Sequence, residues 1–241
     1  MNKNEFYNTL ASSYDEMIDF NKSVTNRQKL LSNFISQTDR VLDFGCGSGV
    51  DSISCSELGA VVTAFDISEL MISKAKKNAA KSGVQIKFIT AHSDIFTEMK
   101  FDKIISLGNT FANINSEEIK RTATQFSKTL QPNGQIILQL VNYESMPQTG
   151  EHILNEKNTD NAIIKRYYKF NESSSEFFIS ITNKSTGKKD IINTEIFRYD
   201  QKFFGALFTS LNMKVEFYGS LNRSEYNTES SKDLIVVATL K

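Results

Sequence analysis

The chain has 241 residues, and its 28 Lys and Arg balance 28 Asp and Glu to a formal charge of zero. That length can bury a full core without staples, while the missing basic excess argues against a nucleic-acid grip. No apolar run reaches the roughly 18 residues of a membrane span, and two cysteines, Cys46 and Cys55, do not make a disulfide framework.

In chain order, residues before 39 read as helical, with Leu30, Leu31, Phe34 and Ile35 on one face of a helix over 25–37 and Thr25 as its cap. A short apolar run at 40–44 ends in the cluster Gly-Cys-Gly-Ser-Gly at 45–49, and the helix after it should stop near Gly59. Strands are expected at 60–65, 85–90, 103–107 and 135–140. Helices are expected from Ser68 to about Ser82 and from Asn115 to Leu130, the latter opened by a capping box. Strand alternating with helix calls for a parallel sheet covered on both faces. From 142 to 200 the pattern changes to three strand-like runs at 163–170, 176–182 and 191–199, separated by Asn, Ser and Gly turns. Strands without helices between them pair antiparallel, so a small inserted sheet is expected there. A helix at 201–211 and two strands at 213–218 and 233–240, joined as a hairpin, close the chain.

The glycine cluster lets the backbone turn sharply and lets a ligand approach unpaired N–H groups at a helix start. The dinucleotide pattern Gly-x-Gly-x-x-Gly would place glycine at 50, where Val50 stands. Asp43 at the end of the preceding strand would repel a pyrophosphate and suit a cation. Asp66 ends the second strand, 66 − 45 = 21 residues past the first loop glycine, where an acid can accept ribose hydroxyls. These features select a nucleoside that carries positive charge in place of phosphate, and S-adenosylmethionine meets that description.

The run Val-Leu-Asp-Phe-Gly-Cys-Gly-Ser-Gly at 41–49, then Asp66, His92-Ser-Asp-Ile and Phe-Asp-Lys-Ile-Ile-Ser-Leu at 101–107 resemble the successive motifs of class I S-adenosylmethionine-dependent methyltransferases. Leu-Gly-Asn-Thr-Phe at 107–111 and Val-Asn-Tyr-Glu at 141–144 resemble the glycine and sarcosine N-methyltransferase-like enzymes within that class. The resemblance implies an α/β fold, a doubly wound, mostly parallel seven-stranded Rossmann-like sheet with a small antiparallel β insertion after strand five. Residues 1–141 and 201–241 would form the cofactor-binding core, and 142–200 a cap over the substrate.

Carried over by position, the resemblance assigns Asp43, Gly45, Cys46 and Gly47 to the methionine end of the cofactor and Asp66 to its ribose. Ile67 and Met71 would pack on adenine, with Ser93, Asp94 and Ile95 closing its edge. Leu107 and Asn109 would lie beside the sulfonium, and Tyr14 would cover the cofactor. Asn142 and Tyr143, past strand five, are expected as substrate contacts or as anchors of the insertion, Tyr14 and Tyr143 as positioning groups, and Arg166 as a clamp for a substrate carboxylate or a solvated charge. Cys46 reads as a small residue in a crowded turn, not a nucleophile, and Cys55 as buried packing.

The expected activity is in-line methyl transfer to a small-molecule acceptor at an amine nitrogen. The cofactor is S-adenosylmethionine, with no metal, no nucleic-acid partner and no membrane, in the cytoplasm. A polar start, MNKNEFYNTL, does not read as a signal peptide. Alternatives are an oxygen acceptor, a nucleotide-sugar amine, a nicotinamide-dependent oxidoreductase, or a cofactor-binding protein without catalysis.

Overall fold

The computed structural model describes residues 2–11, 14–90, 99–172 and 174–241. Its larger sheet has seven strands: β1 Arg40–Phe44, β2 Val61–Asp66, β3 Lys87–Thr90, β4 Phe101–Ser106, β5 Leu130–Val141, β10 Met213–Tyr218 and β11 Asp233–Leu240, in the order β10-β11-β5-β4-β1-β2-β3. Strands β1 to β5 run parallel, β11 lies antiparallel to β5, and β10 antiparallel to β11. The chain builds outward from β1 through β2 and β3, then returns to place β4 on the other side of β1. That reversal opens a crevice at the carboxyl ends of β1 and β4, where open α/β sheets bind their ligands.

Apolar residues in tandem explain why the central strands are covered on both faces. Val41, Ile105 and Ile137 bury one way against Leu31 and Phe34. Their neighbours Leu42, Ile104 and Ile136 bury the other way against Phe126, Phe204 and Phe208. The flanking helices are α4 Val50–Glu57, α5 Glu69–Ser82, α6 Ser116–Thr129 and α7 Gln201–Ser210. Their ends follow the local chemistry. Ser68 accepts the Met71 N–H at 3.1 Å to start α5. Asn115 and Glu118 form the expected capping box on α6, and Gly59 takes φ 90° just past α4.

Three local expectations are corrected. The helix before β1 is α3, Phe20–Leu31. Thr25 lies inside it, its hydroxyl donating to the Asn21 carbonyl at 3.2 Å. The break comes instead at Asp19, whose left-handed φ of 55° separates α3 from α2, Tyr14–Ile18. Strand β5 begins at Leu130, and its register with β4 jumps from Phe101↔Leu130 to Lys103↔Gln135 across the Pro-Asn-Gly turn. The inserted sheet has four strands, not three: β6 Gly150–Asn158, β7 Ala162–Phe170, β8 Ser175–Asn183 and β9 Lys189–Glu195, all antiparallel and in chain order. Strand β6 escapes a reading by alternation because it is an edge strand with an irregular register between Ile153 and Asn155. Its Ile153 is 61% exposed.

The N-terminal helices α1, Lys3–Leu10, and α2 strap the inserted sheet to the core. Phe6, Leu10 and Met17 pack with Met71 of α5 and with Ile164 and Ile179 of the cap. Polar ties flank this apolar joint: Ser68 donates to Asn8 at 2.6 Å, Lys74 to the Ala11 carbonyl at 2.7 Å, and Asn78 to Asp15 at 3.1 Å.

Candidate functional site

A cavity of about 770 Å³ fills the crevice, floored by the glycine loop and the end of β4, walled by α3 and roofed by the strap and the cap sheet. The loop is a turn that only glycine accommodates: Gly45, Gly47 and Gly49 all take positive φ, at 82°, 52° and 93°. A Cβ on Gly45 would come within 2.4 Å of the Thr110 side chain. The loop is pinned to β2, since the N–H groups of Gly45 and Cys46 both donate to the Phe65 carbonyl and Gly47 N–H donates to Asp66 at 2.8 Å. Ser48 is buried in the cavity wall, and its hydroxyl has no partner among the described residues.

Three carboxylates surround this loop. Asp66 lines the cavity and accepts from Gly47 N–H and from Ser68 N–H at 2.9 Å. Burial raises its pKa, and the backbone N–H groups oppose that rise. Asp51, in the first turn of α4, also lines the cavity and pairs with Arg27 of α3 at 2.7 Å. Burial raises its pKa too, with Arg27 pulling the other way. Asp43 stands behind the loop, off the cavity wall, and accepts the Ser52 hydroxyl at 2.5 Å. Burial and the neighbouring Asp51 charge hold its carboxyl well above the ordinary range. Arg27 extends the network by donating to Gln139 at 2.7 Å, which donates in turn to Asp233 at 3.1 Å. Among the described residues one arginine, Arg27, offsets these three buried acids, an arrangement that favours a cationic ligand and opposes a pyrophosphate.

The residues therefore fit S-adenosylmethionine on chemical grounds. The acids suit its ammonium and sulfonium charges, the orphaned Ser48 hydroxyl offers a hydrogen bond, and Phe44, Phe65, Ile67 and Leu107 give an apolar wall for a base.

The residues expected from sequence divide into three groups. Tyr14, Gly45, Cys46, Gly47, Asp66, Ile67, Leu107 and Arg166 line the cavity. Asp43, Met71, Asn109, Asn142 and Tyr143 are not on its wall. Met71 is fully buried in the joint between strap and cap. Asn142 is buried at the end of β5. Its amide donates to the carbonyls of Thr228 and Ser231, each at 2.9 Å, and so ties the end of β5 to the β10–β11 connection. Asn109, at φ 72°, donates to the Tyr143 hydroxyl at 2.7 Å and accepts from Val141 N–H at 3.0 Å. Tyr143 is thereby sealed between core and cap, edge-on to Tyr168 at 5.7 Å. Ser93, Asp94 and Ile95, with His92, lie outside the described residues. Cys46 has its thiol pushed well above its ordinary value by burial and then by Asp43, which leaves no reactive thiolate. His152 bonds the Thr149 carbonyl at 3.0 Å and sits against Phe170, away from the cavity.

Tyr7, Lys22, Arg27, Ser48, Asp51 and Asn113 line the cavity without having been picked out from sequence. Asp51 had a readable signal, an acid in the first turn of the helix that follows the glycines. Tyr7, Lys22 and Arg27 had none, because their helices reach the site only through tertiary packing.

The family description "Methyltransferase domain" matches residues 41–134, the stretch that holds the glycine loop, Asp66 and β4. A glycine/sarcosine N-methyltransferase of Halorhodospira halochloris is 28% identical over 197 residues, which are 72% of this chain and 71% of that protein. Another, from Aphanothece halophytica, is 30% identical, covering 61% of this chain and 58% of the relative. Among solved structures, an S-adenosylmethionine-dependent methyltransferase from Clostridium acetobutylicum superposes with a TM-score of 0.77 at 18% identity, over 97% of this chain and 98% of the other. That likeness is one of fold. The glycine loop, Asp66 and β4 thus lie in a stretch that matches a methyltransferase domain, and the fold around them is that of S-adenosylmethionine-dependent methyltransferases of known structure.

Proposed function

We propose that this enzyme methylates the nitrogen of a small-molecule amine. The observation that carries the reading is a single cavity shared by the glycine loop on one side and the cap on the other. A volume of about 770 Å³ suits a cofactor and a small acceptor together. A roof made of the strap and the cap leaves a polymer little access. The relatives named glycine/sarcosine N-methyltransferase support nitrogen as the acceptor atom.

S-adenosylmethionine, when bound, supplies an activated methyl group on its sulfonium. The chain's own residues then have three tasks. Asp66, Ser48 and the glycine-loop backbone hold the cofactor, with Asp43 and Asp51 supplying negative charge behind and beside them. Leu107, Phe44 and Ile67 exclude water on the core side. Tyr7 and Tyr14, carried by the strap, close the roof and orient the acceptor. Correct placement of donor and acceptor can contribute roughly 7 kcal/mol or more.

Burial raises the Tyr7 phenol far above its ordinary value and pushes Tyr14 up to about 12, with Asp66 adding to both. Both phenols thus stay protonated and serve as hydrogen-bond partners, not bases. No histidine lines the cavity among the described residues. An amine that arrives neutral needs no base for its attack, whereas a hydroxyl would, and this favours nitrogen. Residues 142–200 act as the substrate cap in this reading. The two free, buried cysteines suit a reducing, cytoplasmic setting.

Labelled-methyl transfer from S-adenosylmethionine to panels of small amines, alcohols and thiols tests the assignment. Label is expected in an amine product. Label confined to a hydroxyl product, or cofactor binding without transfer to any panel member, would contradict it.

A further inference from the structure

Asn78 is a polar residue on an otherwise apolar face of α5. One and two turns before it, Ala75 and Met71 are fully buried. Met71 packs under the strap with Phe6, Leu10 and Met17, and a Cβ on Gly49 would come within 3.2 Å of Ala75. Asn78 continues that face by the three- and four-residue spacing of a helix, and it is only 7% exposed. An amide buried this far needs partners for its N–H groups, and Asn78 finds them in two different elements. Its Nδ2 donates to the Ser48 carbonyl of the glycine loop and to Asp15 Oδ2 of the strap, each at 3.1 Å. A side-chain amide has two N–H donors, so both are committed.

Each partner stands beside a group that faces the cavity. Ser48 itself lines it, with the hydroxyl that has no partner among the described residues. Its neighbours Gly47 and Gly49 hold left-handed φ, so the Ser48 peptide sits in a sharply turned backbone. Asp15 follows Tyr14, which lines the cavity as part of the roof. A Cβ on Gly47 would lie 3.7 Å from the Tyr14 hydroxyl. Asn78 and Asp15 do not line the cavity. Lys74, one turn before Asn78, holds the same end of the strap, bonding the Ala11 carbonyl at 2.7 Å and reaching Asp15 at 3.5 Å. The lysine thus fixes the strap to α5, whereas the amide carries the connection on to the glycine loop.

We infer that Asn78 is a positioning residue that couples the glycine loop to the strap, so that holding the cofactor and setting Tyr14 in the roof are linked. The inference rests on the methyl-transfer reading above and deepens it with a residue outside the cavity. Such coupling is reciprocal. A cofactor that fixes the Ser48 peptide also fixes Asp15, and a strap held at Asp15 strengthens the grip on the cofactor by the same factor.

Asn78→Ala, Asp15→Ala and the double variant test the link, with affinity for S-adenosylmethionine measured by calorimetry. Each single change is expected to weaken binding by roughly 5- to 10-fold, and the double variant should lose little beyond the weaker single. Losses that multiply in the double variant overturn the inference, as does unchanged affinity in Asp15→Ala. A second readout follows the strap itself through limited chymotrypsin digestion, for which Phe6, Tyr7 and Tyr14 are sites. Saturating S-adenosylmethionine should slow cleavage of the wild-type strap, and should slow it several-fold less in Asn78→Ala. If Asn78 only supports the fold, its loss speeds cleavage equally with and without the cofactor, and that result overturns the coupling. Should Asn78→Ala fail to fold, Asn78→Ser takes its place, since it keeps one donor. An intermediate loss of affinity is then expected, and unchanged affinity overturns the inference. Failure of wild type to bind S-adenosylmethionine strikes the methyl-transfer reading itself.

Discussion

Asp66 serves two partners, and the residue-scale predictions begin with it. Its carboxylate already orders Gly47 and Ser68, so it presents a pre-organised acceptor to the cavity. Asp66→Ala should weaken binding of S-adenosylhomocysteine by roughly 1–3 kcal/mol, read by calorimetry, and an unchanged dissociation constant would remove it from the cofactor contacts. Gly45 is constrained by two independent facts, a φ of 82° and a Thr110 methyl where a Cβ would go. Gly45→Ala should therefore cost roughly 1–3 kcal/mol of stability through crowding. Adding Thr110→Ser, which removes that methyl, should return part of the loss in thermal denaturation. No recovery would mean that backbone strain alone sets the cost. Both residues were legible in the sequence, since glycine clusters and strand-end acids are local signals. Asp43 was legible as an acid but not as one turned behind the loop, because the bond to Ser52 belongs to the folded chain.

At the scale of elements, the connection from β5 into the cap is the least readable part. Asn142 and Tyr143 carry polar groups at the carboxyl edge of the sheet, the place where α/β proteins bind ligands, and position alone made them substrate contacts. Their bonds tie the end of β5 to the β10–β11 connection and to Asn109, which supports a role as joints. Asn142→Ala would strip the Thr228 and Ser231 carbonyls of their donor. It should lower stability by roughly 1–3 kcal/mol and leave the KM for the acceptor unchanged. A raised KM with unchanged thermal stability would return Asn142 to the substrate site. The fourth cap strand was missed for a related reason. An edge strand has a partner on one side only, and the irregular register of β6 breaks the alternation that marks a strand. The parallel half of the sheet was readable apart from the starts of α3 and β5, because its central strands are buried on both faces and helices such as α5 and α6 carry their own caps.

Over the whole molecule, neutrality conceals a division of charge. Asp51 and Asp66 stand at the glycine loop and Arg166 and Lys157 on the cap, and neither group appears in a net charge of zero. This division has a consequence in pH. Burial raises the carboxyls of Asp43, Asp51 and Asp66, so the folded chain binds protons at a pH where the unfolded chain has released them. The ligand-free protein should accordingly gain stability from these groups as pH falls from neutral toward the ordinary carboxylate range. A cationic ligand favours the ionised acids, so its binding should release protons and weaken as the solution is acidified. Calorimetry in buffers of different ionisation heat measures that release, and binding heats independent of buffer would contradict it. The most direct test of the central claim, that this site selects a cationic nucleoside in order to transfer a methyl group, is a paired titration with S-adenosylmethionine and NAD. Saturable heat with S-adenosylmethionine and none with NAD is the result expected, and the reverse would contradict the account.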